Sequence, residues 1–175
     1  FIDGQPLGLF FVSPRQVNFH VPAGVAAGQH FISFSTASGL TLTGDVVVNA
    51  NSPGIFTEDQ NGSGQASAQW WVYRPGQPVR VYSWTSLQAA PGDRVFLILF
   101  GTGIISARAT LRVNNKVYDS AYAGNAPTFV GLDQVNIEIP YADQWRGSLG
   151  AQLTSGEGQS SWQSNGFILK ALPAQ

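Results

Sequence analysis

The sequence predicts an all-β protein. Apolar residues alternate with a period of two in several short runs, one of which contains Val17, Phe19 and Val21, and this alternation is typical of strands with one buried face. The chain contains 20 Gly and 10 Pro, which interrupt every long helical pattern. Short strands separated by regular turn signals are typical of a sandwich or a barrel. The one helical turn that we expect lies between Tyr141 and Trp145.

An internal repeat refines this prediction. Residues 16–22 read QVNFHVP and residues 134–140 read QVNIEIP, and five of the seven positions are identical or exchange one aliphatic residue for another. A strand entering a tight turn also recurs, as IDG at residues 2–4 and VNN at residues 113–115. A duplicated unit explains both matches, so we expect two tandem Ig-like β-sandwich modules related by internal duplication. The expected core of the two equivalent strands consists of Val17, Phe19, Val21, Val135, Ile137 and Ile139.

The two expected modules differ in completeness. We place the first at residues 1–90 and the second at residues 91–175. The second module has two apolar strands ahead of its QVN segment, at residues 94–103 and 107–115, whereas the first begins at Phe1, within the second of these strands. The first module therefore lacks about one and a half strands, and it is expected to have an unpaired sheet edge.

Two different segments are candidates to pair with this sheet edge. A long hairpin at residues 66–85, which belongs to neither copy of the repeat, would complete the first module within the same chain. A strand from another subunit would complete it in trans, and the C-terminal run FILKAL at residues 167–172 is the candidate.

The composition restricts the classes of partner. Charged residues make up 11% of the chain and the formal net charge is -1, so we expect no attraction to nucleic acid or to an anionic membrane. Gly, Pro or polar residues interrupt every apolar run, so we expect no membrane insertion. The chain has no Cys, which excludes disulfides and thiolate chemistry. It has no Met and starts at Phe1, so we expect a mature form or a fragment.

Patterns for catalysis or metal binding are weak. His20 and His30 are the two histidines, and the sequence around them lacks zinc-ligand spacing and the nucleophile of a catalytic triad. Residues 59–64 (DQNGSG) match the first half of a calcium loop, but Trp70 stands where the bidentate Glu belongs, and a hairpin loop needs the same residues. The FGTG glycines at residues 100–103 do not open a helix, which excludes a phosphate loop. We therefore expect no enzyme, no metal and no cofactor.

The hairpin at residues 66–85 carries the strongest site signal. If residues 75–78 (PGQP) form its turn, Trp71 lies opposite Tyr82, and alternation separates two faces. One is an ordinary core face. The other is the expected interface or ligand-binding site, which comprises Trp71, Tyr73, Arg80, Tyr82 and Trp84. Four aromatic rings with a guanidinium are typical of a protein interface or a sugar-stacking platform, and burial against the other module is the alternative.

Four segments carry a resemblance to a known family. They are FIDGQPLGLFFVSPRQVNFHVPAG at residues 1–24, SPGIFT at 52–57, PGDRVFLILFGTG at 91–103 and YAGNAPTFVGLDQVNIEIP at 122–140. In these segments the chain resembles the secreted acidobacterial C-terminal domain family, also called the Solibacter-type C-terminal domain. The resemblance implies an exported bacterial Ig-like module of unassigned role, and it assigns no catalytic residue. The aromatic hairpin is the departure, because it is richer in Trp and Tyr than the resemblance implies.

Together these observations predict an extracellular or cell-surface protein without enzymatic activity. We expect a structural or adhesive subunit that self-associates, because an incomplete module leaves a sheet edge open, and head-to-tail contacts that do not close would build a fibre or filament. Its expected partners are other copies of itself. The alternative is a carbohydrate-binding or other recognition module of a larger secreted protein, which would bind polysaccharide through Trp71, Tyr73, Tyr82 and Trp84.

Overall fold

The structure is a computed structural model of the 175-residue chain. It describes residues 1–84, 86–104, 107–127, 129–143 and 147–170. Strands make up 57% of the residues, and the described ranges contain no α-helix, which confirms the all-β prediction. A single-turn 3-10 helix at Tyr141–Asp143 begins where a helical turn was expected, while Trp145 lies outside the described residues.

The chain divides into two compact units, Phe1–Ala50 and Asn51–Gln175. The strands of the first unit are β1 (Gly8–Ser13), β2 (Gln16–His20), β3 (Gly28–Ser35) and β4 (Thr41–Val48). The strands of the second unit are β5 (Gly54–Ile55), β6 (Ala68–Tyr73), β7 (Arg80–Tyr82), β8 (Arg94–Thr102), β9 (Ala109–Val113), β10 (Lys116–Asn125), β11 (Asp133–Ile139), β12 (Ser148–Ser155) and β13 (Trp162–Lys170).

The division after Ala50 differs from the boundary after residue 90 that the repeat led us to expect. β6 pairs with β8 across that boundary, for example Trp70 with Leu97, so the aromatic hairpin and the second QVN strand share one sheet. Residues 51–90 therefore fold with the second unit, because hydrogen bonds between strands distant in the sequence decide the division.

The strands of the second unit form one antiparallel sheet in the order β13-β12-β9-β10-β11-β8-β6-β7, with β5 paired to the end of β8. β10 takes part in both halves of this sheet: Lys116 to Asp119 pair with β9, and Ser120 to Asn125 pair with β11. A β-bulge between Ser120 and Tyr122 lies where the halves meet. Because a bulge bends and twists a strand, the sheet can curl into a half-barrel.

The curled sheet encloses the core of the second unit. β11 alternates between buried and partly exposed residues, and Val135, Ile137 and Ile139 are buried, as predicted for this copy of the repeat. The other half of the sheet contributes apolar side chains of β9, β12 and β13, including Leu111, Leu153 and Phe167. Each fully buried aliphatic or aromatic side chain contributes about 1.5 to 3 kcal/mol, so this cluster is the main source of the unit's stability.

Two glycines at the end of β8 permit a close backbone approach. A Cβ atom on Gly101 would lie 2.2 Å from the carbonyl oxygen of Gly54, and one on Gly103 would lie 2.2 Å from that of Ser52. Gly103 also has a φ of 68°, which residues with a side chain rarely adopt. The glycines of the FGTG sequence therefore serve the packing of the chain around β5 against β8.

The first unit consists of two hairpins, β1-β2 and β3-β4. Ile2 forms a bridge to Ile32 of β3, and the rings of Phe19 and Phe34 have their centres 5.7 Å apart, so β2 packs on β3. Within residues 1–50, all of which the structure describes, Ile2 is the one buried hydrophobic residue. The unit is therefore a sandwich of two two-stranded layers with a small core.

The predicted core residues of the first copy are half-buried rather than buried. Val17 and Phe19 keep partial contact with solvent, and so does Val21. Nearby apolar side chains are more exposed, with Phe10 at 61% and Val12 at 63% of their full accessibility. The physical reason is the width of the layer: among the described residues β2 pairs with β1 alone, whereas β11 has a neighbour on each side.

Both units nevertheless share local geometry around the QVN strand. The strand that pairs with it carries a bulge at the same place, directly beside the pair that contains Asn18 in the first unit and Asn136 in the second. In both units the Gln side chain of the QVN sequence donates to the Asn side chain at 2.7 Å. The preceding turn has a positive φ at its first residue in each unit, 45° at Asp3 and 52° at Asn114.

Candidate interaction surfaces

The hairpin of β6 and β7 has a register one residue away from the predicted one. Trp70 pairs with Tyr82 and Trp71 pairs with Val81, so the predicted pairing of Trp71 with Tyr82 is wrong. Side chains alternate between the two sides of a sheet, and a one-residue shift therefore turns the side chains of β7 to the opposite side relative to those of β6.

The turn chemistry explains this shift. The Gln77 N–H donates to the Arg74 carbonyl oxygen (3.0 Å), and Gly76 has a φ of 72°. Pro at the second position and Gly at the third position are the residues that a type II turn requires. A turn centred on Pro75 and Gly76 alone would place Trp71 opposite Arg80. One further residue on the β7 side, where Pro78 has no N–H to donate and lies outside the strand pairing, moves the partner of Trp71 to Val81.

The structure divides the five predicted site residues between the two sides of the sheet. Trp71 and Tyr73 lie on the outer side, opposite the buried Trp and Val of the same strand. Tyr82 and Trp84 pack against the buried core. Arg80 is exposed, and its guanidinium donates to a turn residue at 3.1 Å. The predicted site is therefore not one surface, although two of its aromatic residues remain together.

Trp71 and Tyr73 share the outer side with residues of β8. Trp71 pairs with Phe96, and Tyr73 pairs with Arg94. The Tyr73 and Phe96 rings meet edge to face with centres 5.2 Å apart, and the Arg94 guanidinium lies 5.1 Å from the centre of the Phe96 ring. Val81 of β7, the partner of Trp71, is 55% exposed. We call these five residues the outer aromatic face.

Polar groups border the outer aromatic face. Arg94 donates two hydrogen bonds to Glu138 of β11, at 2.8 and 2.7 Å, and these hydrogen bonds lower the pKa of the Glu138 carboxyl. Trp71 Nε1 donates to Gln69 Oε1 at 3.0 Å. Aromatic rings beside a side-chain amide and an ion pair can stack on a sugar ring and bind its hydroxyls, or form the centre of a protein interface.

Sequence reasoning missed Arg94 and Phe96 as surface residues. Every residue from Val95 to Phe100 is apolar, so the sequence shows no alternation that separates an inner from an outer side. The pairing of β8 with β6 supplies the missing information, because Trp71 places its partner Phe96 on the outer side.

One ion pair attaches the hairpin to the start of β8. Arg74 donates two hydrogen bonds to Asp93, at 2.8 and 2.6 Å, and the Ala90 N–H donates to the same carboxylate at 2.9 Å. The hydrogen bonds from Arg74, and then the one from Ala90, lower the pKa of Asp93 to about 2. The carboxylate therefore stays charged at neutral pH and holds the hairpin in place, which is a structural role.

The second candidate surface is the free edge of β2. In the second unit, β8 pairs with β11 over seven consecutive residue pairs, from Asp133 with Gly101 to Ile139 with Val95. β2 has the same QVN sequence, but β1 is its only partner strand in the part of the chain that the structure describes. We call this side of β2 the open edge.

Both histidines have surroundings that indicate structural roles. His30 Nδ1 lies 2.5 Å from Asp3 Oδ2, and Nε2 lies 2.8 Å from the Ala26 carbonyl oxygen, so both ring nitrogens face acceptors. Hydrogen bonding to Asp3, and then to Ala26, raises the pKa of His30, and the hydrogen bond from His30 lowers the pKa of Asp3. The His20 and Phe10 rings have their centres 6.4 Å apart. Within the described ranges, no group of three or more His, Asp or Glu could hold a metal ion.

The loop at residues 59–64 closes on itself. Asn61 Oδ1 accepts from the N–H groups of Ser63 (2.8 Å) and Gly64 (2.9 Å), and Asp59 Oδ2 accepts from Asn61 Nδ2 (2.7 Å). These side-chain oxygens, which a calcium loop would aim at the ion, bond within an Asx-type turn instead. The geometry therefore favours the hairpin-loop interpretation of this segment.

Comparison of the chain with models of known protein families, with curated proteins and with solved structures found no match. Among the residues that the structure describes, no helix is long and apolar enough to span a membrane. The fold defines an all-β protein with a half-barrel sheet, and its two surfaces are the basis on which a function can be inferred.

Proposed function

We propose that the protein is a non-enzymatic extracellular structural or adhesive subunit that self-associates through its first unit. The open edge carries this proposal. Exposed side chains of β1, among them Leu9, Phe11 and Val12, lie beside a strand with one free side. Monomeric soluble proteins rarely expose a contiguous apolar surface next to unpaired backbone groups. A strand from another copy would pair with the free backbone groups of β2.

The same proposal includes the origin of the two units. We infer that they are Ig-like modules related by duplication, and the support is their common turn, bulge and Gln-to-Asn hydrogen bond. In this interpretation β2 is the counterpart of β11, and among the described residues no strand takes the place beside β2 that β8 takes beside β11. The extracellular location rests on the resemblance to the secreted acidobacterial family.

Particle mass tests self-association. When the full chain is sedimented over about a hundredfold range of concentration, we expect a mass above that of one chain that falls on dilution, because association follows mass action. Growth of the mass without limit would indicate a filament, and a plateau would indicate a closed particle. A mass of one chain at every concentration would overturn the proposal.

A carbohydrate-binding function is the second candidate, and the outer aromatic face favours it. Tyr73 is 38% exposed and stands beside Phe96, with the Gln69 amide and the Arg94–Glu138 pair close by. Flat aromatic rings with hydrogen-bonding groups at their border suit the alternating apolar faces and hydroxyl groups of a polysaccharide.

Replacing Trp71 by Ser tests the carbohydrate alternative. We expect binding to neutral polysaccharides in affinity electrophoresis to weaken by about two- to tenfold, because one stacked ring contributes about 0.5 to 1.5 kcal/mol. The matched control is Tyr82→Ser, which removes a ring that packs against the core. It should lower stability and leave the outer face intact. Equal polysaccharide mobility of the wild type and Trp71→Ser would exclude the sugar site.

A further inference from the structure

We propose that the open edge of β2 binds β2 of a second copy of this chain, as an antiparallel pair centred on Asn18. The inference rests on the proposed self-association and names the strand that each copy contributes. In this pairing Asn18 lies opposite Asn18 of the second copy, Val17 lies opposite Phe19, and Gln16 lies opposite His20.

β2 lacks the features by which edge strands avoid such pairing. Natural edge strands are protected by Lys, by Pro, by a bulge or by an inward-pointing charge. β2 reads QVNFH and contains none of these residues, and the bulge of its hairpin lies on β1. Arg15 is the nearest charged residue, and it lies outside the strand. The edge is therefore open to another β-strand.

The side-chain pattern of β2 is self-complementary. Val17 and Phe19 lie on the side of β2 that faces β3, since the Phe19 ring meets that of Phe34. Two copies that pair about Asn18 place Val17 of each copy directly opposite Phe19 of the other, on that same side. A shift by one residue would place apolar side chains opposite polar ones. The alternation of β2 therefore permits this register, or a register that is shifted by two residues. The register centred on Asn18 pairs all five residues of β2, which is the greatest overlap available.

Charge does not oppose the pairing. The first fifty residues contain two Asp (Asp3 and Asp45), one Arg (Arg15) and no Glu or Lys. In the proposed register Arg15 lies opposite Val21 of the second copy, so no like charges meet across the strands. A close approach of two copies therefore carries no large electrostatic cost.

The symmetry of this contact is closed. An antiparallel pair about one residue has a two-fold axis perpendicular to the sheet, which keeps both Phe19 rings on the same side. The result is a four-stranded β1-β2-β2-β1 layer, in which each β2 gains the second neighbour that β8 provides for β11. A closed pair uses the open edge completely, so growth into a filament would require a further contact elsewhere on the molecule.

A single cysteine at Asn18 tests the pairing, and the absence of Cys from the chain makes the test specific. Directly opposed residues of an antiparallel pair have Cα atoms about 4.5 or 5.5 Å apart, and both distances permit a disulfide. We expect Asn18→Cys in the full chain to form a covalent dimer under mild oxidation, visible on non-reducing gels and reversed by reductant.

The matched control is Asn136→Cys, the equivalent position of the second unit. Asn136 lies on β11 between β10 and β8, so it has no free edge and should remain uncrosslinked. Equal cross-linking of both variants would indicate random collision and would overturn the proposed pair. A chain that associates in sedimentation without a cross-link at Asn18 would also overturn the pair but leave self-association standing. A chain that stays monomeric at every concentration would overturn both.

A mixture of two variants tests the register. Gln16→Cys combined with His20→Cys should give a covalent heterodimer, because these positions oppose each other in the proposed pair. Each variant alone should give much less dimer, because its own cysteines then lie several residues apart. More dimer from either variant alone than from the mixture would show a different register and would overturn the proposal.

Discussion

Replacing Ile137 by Ala is expected to lower the free energy of unfolding of the second unit by about 2 to 5 kcal/mol. Ile137 is fully buried on β11, between Leu97 of β8 and Ser120 of β10, so the substitution leaves a cavity that its neighbours cannot fill. All five Trp lie beyond residue 50, and Trp fluorescence during chemical denaturation therefore reports on this unit alone. A loss below about 1 kcal/mol would show that the site collapses around the smaller side chain.

Phe19→Ala is the matched variant in the first unit, because Phe19 and Ile137 occupy the same place in the two QVN sequences. When the chain is monomeric, we expect Phe19→Ala to lower the free energy of unfolding by less than Ile137→Ala does, because the Phe19 ring is already half-exposed. The first unit contains no Trp, so its free energy of unfolding is measured by hydrogen exchange of peptides from residues 1–50. Equal losses in a monomeric chain would show that the first unit already has a complete core.

The sequence predicted the strands and the core of the second unit because that information is local. β11 reads DQVNIEI, and its alternation of polar and apolar residues matches the alternation of burial at every position from Gln134 to Ile139. A strand with one buried face imposes this period on its sequence, whatever its neighbours are. The same reasoning applied to β2 gave the correct strand but overestimated the burial, because burial also depends on neighbouring strands.

The register of the aromatic hairpin was not predictable from alternation alone. Trp71 and Tyr82 have aromatic neighbours on their strands, so either register places large rings on both sides of the sheet. The turn sets the register, because Pro75 and Gly76 occupy its central positions and Pro78 lies outside the strand pairing. A difference of one residue in the turn was enough to separate Tyr82 from Trp71.

The outer aromatic face was not predictable because strands distant in the sequence assemble it. Trp71 meets Phe96 through the pairing of β6 with β8, and Arg94 meets Glu138 through the pairing of β8 with β11. Neither contact leaves a signal within one segment, and the apolar run of β8 hides which of its residues face outward. The equivalence of β2 and β11, by contrast, was predictable from the sequence alone, because both strands carry the same QVN sequence.

Placing counterparts of β8 and β9 ahead of Phe1 should abolish self-association of this chain. The change is a copy of residues 94–111 placed directly before Phe1, since Arg112 and Val113 occupy the places of Phe1 and Ile2 in the repeat. We expect the added strands to pair with β2 and β3 and to bury Val17 and Phe19. The added copies of Val95, Leu97 and Leu99 would point into the core, and the burial of each would stabilise the fold by about 1.5 to 3 kcal/mol. The conformational entropy that the added residues lose on folding offsets part of this gain. Sedimentation should then give the mass of one chain at all concentrations.

The control for this extended chain carries Leu97→Lys and Leu99→Lys in the added copy only. Both positions point into the core when the strand pairs as β8 does with β11, so a charged side chain there cannot be buried without a partner. This variant has the same length and the same connection, and we expect it to associate like the original chain. If the unmodified extension associates as strongly as the original chain, the open edge is not the contact between copies. If both extensions are monomeric, the added length blocks the contact, and strand pairing is not required to explain the loss.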